Sequence, residues 1–165
     1  MGASLKKNLP LVGLVGAGRF DYDFLDPAGV YRSAPHERIT ALKAGVPARH
    51  IDALASRMKI TKESLIDTLR LSRATVNRKA RSEGALSQDE SERVLGMECL
   101  IGQVHAMVEE SGELEGFDAA KWLGRWLFQP LPALGGKTSA SFMDSIEGQK
   151  VISNLLAMTQ SGAYA

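Results

Sequence analysis

Cysteine is nearly absent: Cys99 is the only one in 165 residues. A single thiol excludes an intrachain disulfide framework and suits a reducing compartment. Inside the apolar run Gly96–Ile101 it reads as a small buried hydrophobe rather than a reactive thiol. Aromatic residues are sparse at 6%, so a core must be built from Leu, Ile, Val, Ala and Met. No run approaches the roughly eighteen consecutive apolar residues that a membrane-spanning helix needs. Lys6-Lys7 ahead of Leu9–Val15 imitates a signal peptide. Pro and Gly interrupt that run and no small-residue cleavage site follows it, so a cytoplasmic protein without membrane contact is expected. His36, His50 and His105 have no ligand spacing to each other or to Cys99, so neither a metal nor a cofactor is expected. No nucleophile or general-base motif stands out, and the chain is not expected to be an enzyme.

Charge is present but unevenly placed. The net charge is only +1. Residues 46–82 nevertheless hold nine Lys/Arg against Asp52, Glu63 and Asp67, a net of +6. Residues 83–118 hold ten acids against Arg93, a net of −9. A basic block beside an acidic one is the pattern of a local nucleic-acid footprint on an otherwise phosphate-averse surface. The run Glu109–Glu115 reads as a solvated link.

Residues 1–45 are rich in Gly and Pro, lack a sustained helical period and read as a flexible N-terminal arm. Within them, Phe20–Leu25 alternates weakly enough for a short strand. Gly13-Leu14-Val15-Gly16-Ala17-Gly18 has the order G-x-x-G-x-G rather than the dinucleotide-binding G-x-G-x-x-G, and no βαβ pattern follows. From Pro47 the periodicity becomes helical, with Ile51, Leu54, Ala55 and Met58 on one face. Thr61 and Ser72 are placed to cap two short helices, with Gly84 ending the second. Ser87-Gln-Asp-Glu90 is a capping box that opens a longer helix, and Ser111-Gly112 stops it. Asp118 caps a helix over 119–128. Pro130, Pro132 and Gly135-Gly136 break the chain, a short helix covers 139–144, and Ser145 caps a last helix over 146–160.

Lys62–Arg81 has the spacing of a helix-turn-helix. Leu65, Ile66, Leu69, Leu71 and Val76 supply a small shared core. Ser72, Arg73, Asn77, Arg78 and Arg81 are left outward on the second helix, the one that enters a major groove. Arg reads guanine bidentately and Asn reads adenine, while Lys62, Lys79 and Ser72 suit phosphates. The competing reading is a solvated basic face on a bundle helix. Leu71-Ser72-Arg73-Ala74-Thr75-Val76-Asn77-Arg78 resembles the signature of Xre-type regulators and adds Thr75 to the expected DNA contacts. It departs from that signature at the turn, where Arg70 replaces the usual Gly, and at Lys79, often apolar.

The C-terminal stretch reads Trp122-Leu123-Gly124-Arg125-Trp126-Leu127-Phe128, then Pro130-Leu-Pro-Ala-Leu-Gly-Gly136, then Glu147-Gly148, then Gly162-Ala163-Tyr164-Ala165. It resembles the toxin-binding domain of the Xre/MbcA/ParS antitoxins, departing at Ser139-Ala140, where that family often has proline. By periodicity alone, Trp122, Trp126 and Phe128 are either core residues or interface anchors.

Periodicity and this resemblance together predict an all-α fold: arm 1–45, helix-turn-helix region 46–112 and small helical toxin-binding domain 113–165. The resemblance implies an antitoxin of a type II system whose partner is an NAD-consuming toxin of the RES type, or of a related ADP-ribosyltransferase-like fold. The C-terminal end would block the toxin's active site, with Gln149, Ile152, Ser153, Leu156, Gln160, Gly162, Ala163, Tyr164 and Ala165 as toxin contacts. The basic helix would bind operator DNA to autoregulate the operon, as a homodimer or larger assembly. The alternative is a plain helix-turn-helix regulator whose C-terminal domain only dimerises.

Overall fold

The computed structural model describes residues 13–15, 18–20 and 26–162. Among them, eight α-helices carry the fold: α1 Pro27–Arg32, α2 Pro35–Ala44, α3 His50–Met58, α4 Lys62–Thr68, α5 Arg73–Arg81, α6 Gln88–Ser111, α7 Ala119–Trp126 and α8 Ile146–Gln160. Two short strands, β1 Gly13–Val15 and β2 Gly18–Phe20, pair antiparallel ahead of them. The expected strand at Phe20–Leu25 falls largely outside the described residues.

The capping chemistry works as the sequence suggests. Thr61, Ser72, Asp118 and Ser145 each accept a backbone N–H three residues on, at 2.9–3.3 Å. Ser87 and Glu90 complete a reciprocal capping box, and Gly112 ends α6 in the left-handed region. The helix after Ser72 ends earlier than expected: Ser82 caps it, and Glu83 rather than Gly84 takes the positive φ, at 54°. The helix after Asp118 stops at Trp126, and the segment 139–144 holds only a 3-10 turn, Ser139–Phe142.

Helix α6 is the axis. Its buried residues include Val94, Met97, Leu100, Ile101 and Val104, which face in several directions, as expected of a helix enclosed by others. Helices α1, α2, α7 and α8 pack on it, while α3 packs on α4 and α7. The reading of residues 1–45 as a flexible arm therefore needs correction for 27–44. Ala28, Val30 and Ala41 are buried. The sequence hides this because α2 has only one buried residue.

Two polar devices hold the helix-turn-helix against α6. The strand-like segments flanking it pair with each other: Leu86 N–H donates to Val46 O at 2.8 Å and Ala48 N–H to Gly84 O at 3.0 Å. Buried Glu98 of α6 accepts from Arg57 Nη1 at 2.7 Å and lies 2.7 Å from His50 Nε2, both on α3. Breaking one side of such a buried charge pair costs about 3–5 kcal/mol.

Helix α8 runs parallel to α6, and three polar contacts set its register. Gln149 Nε2 donates to Arg93 O, Ser153 Oγ to Gln103 Oε1, and Gln160 Nε2 to Glu110 Oε2. The first requires a bare backbone at Gly96, where a Cβ would sit 1.7 Å from Gln149 Oε1. Gly124 serves α7 in the same way: a Cβ there would lie 2.1 Å from Met58 O at the end of α3.

Candidate functional site

The basic site is built on α4, the turn Leu69–Ser72 and α5. Leu65, Ile66, Leu69, Leu71 and Val76 are all buried, the small core the sequence implies. Arg70 occupies the turn with φ 51°, so the position where Xre-type regulators usually carry Gly does adopt the left-handed conformation. For a residue with a side chain this costs about 1–2 kcal/mol. Arg93 Nε reaches from α6 to cap the turn, donating to Leu69 O at 2.8 Å.

On α5, Arg73, Arg78 and Arg81 are exposed, and Thr75 and Asn77 are half-buried. Ser72 is exposed but its hydroxyl oxygen already caps the helix by accepting from Thr75 N–H. Three guanidinium groups and an amide thus line one face that no described element covers. The two lysines behave differently. Lys79 turns back onto α6, where its Nζ lies 3.3 Å from Glu90 Oε2. Burial pushes the Glu90 carboxyl up, but the Ser87 N–H and the Lys79 ammonium outweigh it and hold the group below its usual range. Lys79 is therefore a strut between the second helix and the capping box rather than an outward phosphate contact. Lys62 pairs with Asp52 at 3.0 Å on an exposed surface. Such a pair is weak enough to open toward a phosphate.

The C-terminal module comprises α7, a Pro/Gly crossover and α8. Trp122 and Trp126 stack at 5.7 Å with an interplanar angle of 16° and are half-buried against the core, whereas Phe128 is exposed. The crossover is closed by Leu131 N–H donating to Lys137 O at 3.0 Å and Ala140 N–H to Leu127 O at 2.8 Å. Gly135 and Gly136 both take positive φ there.

The residues expected to contact a toxin divide sharply. Ile152 and Leu156 are 0% and 1% exposed, so they belong to this chain's own core and not to a partner surface. Gln149 is also buried, its Nε2 donating to Arg93 O and Met143 O at 3.0 Å each. Periodicity identified the apolar face of α8 but not which way it turned. Ser153 is half-buried, and Gln160 and Gly162 are exposed. Gly162 has φ 71°, in the left-handed region that glycine adopts without strain. Ala163, Tyr164 and Ala165 lie outside the described residues.

Sequence reasoning missed Arg93 and Asp144. Arg93 links α6 to both modules, through Leu69 O and through its own carbonyl to Gln149. Arg70 Nη1 lies 3.4 Å from Asp144 Oδ2, a second tie between the turn and the C-terminal module. No local motif signals either contact, since both join distant parts of the chain. Among the described residues, no helix is long and apolar enough to cross a membrane, and no three His, Cys, Asp or Glu cluster as metal ligands.

Comparison with known proteins gives these two modules their family. Residues 37–97 match the antitoxin Xre-like helix-turn-helix domain. Residues 115–162 match the antitoxin Xre/MbcA/ParS C-terminal toxin-binding domain. The chain is 48% identical over 136 residues to a protein of Sphingobium sp. (strain YBL2) named "Prs ADP-ribosylating antitoxin". That match spans 82% of this chain and 86% of the relative. The first domain begins inside α2, consistent with the packing of α1 and α2 onto the helical body, and the second ends at Gly162, just past α8. With an Xre-like helix-turn-helix and a toxin-binding domain carried in order on a shared central helix, the chain belongs to the Xre/MbcA/ParS antitoxins.

Proposed function

We propose that this antitoxin neutralises an NAD-consuming toxin, of the RES type or of a related ADP-ribosyltransferase-like fold, and represses its own operon through α5. The toxin class draws support from the relative's name, which speaks of ADP-ribosylation, a reaction that takes its ADP-ribose from NAD. The observation that carries the toxin-binding half is the end of α8. Gln160 and Gly162 are exposed there, and Gly162 takes a left-handed φ of 71° just past the helix. In this reading Gly162, Ala163, Tyr164 and Ala165 enter the toxin's active site and occupy the place of substrate. The antitoxin acts by occlusion and performs no chemistry.

The DNA-binding half is carried by the exposed face of Arg73, Arg78 and Arg81 beside Asn77. Two such faces, related by a two-fold axis, would meet two half-sites of a palindromic operator.

Two experiments test the halves separately. Removing residues 162–165 from an antitoxin coexpressed with its toxin abolishes growth rescue and NAD retention; undiminished rescue refutes the plug. An Arg73→Ala, Arg78→Ala double variant weakens operator binding by about 1–3 kcal/mol for each bidentate base interaction removed, with a shallower salt slope for each phosphate no longer neutralised. Unchanged affinity and slope refute α5 as the recognition helix.

A further inference from the structure

Six large apolar side chains stay exposed among the described residues, and three of them, Tyr31, Ile39 and Ile146, ring one groove. The groove lies between α2 and α8 with α6 as its floor and has a volume of about 450 Å³. Leu95, Cys99 and Leu100 of α6 line the bottom. Exposed apolar side chains scattered singly need no explanation, but a contiguous apolar cleft marks a binding surface.

One wall of this groove is α8, which lies wholly within the matched toxin-binding domain. The wall is continuous with the last turn of that helix, where Gln160 is exposed. Ile146, Ser153 and Gln160 recur at spacings of seven residues, so they form one stripe along the α6-facing edge of α8, from the groove to the last turn of the helix. The opposite flank of α8 carries Val151 and Met158, exposed but outside the groove. At the rims stand two cations and one anion: Arg38, Lys150 and Glu92. Arg38 Nη1 faces the Cys99 sulfur at 3.9 Å, and Lys150 pairs with Glu147 only on an exposed surface.

We infer that the groove between α2 and α8 is a second docking site for the cognate toxin. It takes an amphipathic segment of the toxin, whose apolar side chains displace water from the floor and whose acidic side chains meet Arg38 and Lys150. This rests on the reading that α8 and the tail bind the toxin. The helices ahead of the helix-turn-helix then share in that binding. Toxin specificity is written partly in α1 and α2, outside the matched toxin-binding domain.

The test uses the full-length antitoxin and the purified toxin in titration calorimetry. Ile39→Asp with Ile146→Asp should weaken binding by roughly 30-fold or more, as expected for removal of packed anchors. Val151→Asp with Met158→Asp, on the other flank of α8, should leave affinity within about threefold. Circular dichroism should show both variants folded, since all four residues are surface-exposed. As a second readout, alkylation of Cys99 by a small maleimide should slow at least about tenfold when toxin is added. If the wild-type chain fails to bind the toxin, the antitoxin partnership itself falls. If the wild type binds and the groove variant binds equally well, the groove proposal alone is overturned. It is overturned too if Cys99 becomes protected by raising the antitoxin concentration alone, because a second copy would then fill the groove.

Discussion

Gln149→Glu is a sharp test of how the C-terminal module is joined to the rest of the chain. The side chain is 6% exposed, and its amide nitrogen donates to Arg93 O and to Met143 O, each at 3.0 Å. Glutamate has the same shape, so no cavity forms and no bulk is added. The variant instead removes both donors and sets a carboxylate against two carbonyl oxygens. Two missing hydrogen bonds at about 1 kcal/mol each, plus the cost of leaving the acceptors unpaired, give a loss of about 3–5 kcal/mol at neutral pH. Taking up a proton limits the loss, because a neutral carboxylic acid regains one donor. The variant's folded-state pKa is then raised above its unfolded value, so its deficit shrinks as pH falls through that raised value. Urea titrations monitored by circular dichroism at pH 7 and pH 5 read this directly. With a slope of roughly 2 kcal/mol per molar urea, the midpoint drops by about 1.5–2.5 M at pH 7 and by less at pH 5. A variant within about 0.5 kcal/mol of wild type at both pH values would refute the reasoning. If it also failed to bind toxin, Gln149 would be a partner contact after all.

Three further outcomes rest on the same network of contacts. Arg70→Gly relieves a left-handed turn at φ 51° and gives up only an exposed pair with Asp144, so the melting temperature rises, by about 0.5–1 kcal/mol in stability; a fall contradicts the turn assignment. Gly124→Ala drives a Cβ to 2.1 Å from Met58 O, a backbone atom that cannot swing away, and costs about 2 kcal/mol despite alanine's better helix propensity; a stabilised variant contradicts the α3–α7 contact. Glu90, held below the usual carboxylate range, stabilises the fold above its ordinary value of 4.5 and loses that contribution as pH falls through its depressed folded value. Glu90→Gln should therefore flatten the acid limb of a stability-against-pH curve, and an unchanged limb removes the Lys79–Glu90 strut from the account.

Much of the fold was legible because helix ends are written locally. Ser72, Ser87, Asp118 and Ser145 cap in the structure as their positions suggest, and Gly112 stops α6. The helix-turn-helix core was legible for the same reason, since Leu65 through Val76 lie within one short segment. What stayed hidden depends on distant neighbours. Residues 27–44 are weakly patterned, and their burial comes from α6, more than forty residues on. Ile152 and Leu156 sit on an apolar face that could equally have met a partner, and only the register of α8 against Gly96 of α6 decides it. The cation set was read one residue too generously. Lys79 lies on the helix that carries the exposed arginines, but the capping box that recruits it comes from another element.

The most direct test of the whole account is reconstitution with the cognate toxin. Purified full-length antitoxin, added at stoichiometric ratio, should co-elute with the toxin in size exclusion and halt its consumption of NAD. The variant lacking residues 162–165 should still co-elute through α8 and the groove yet leave NAD consumption running. Consumption unaffected by the full-length chain, or blocked equally well by the truncated one, would contradict inhibition by the C-terminal end.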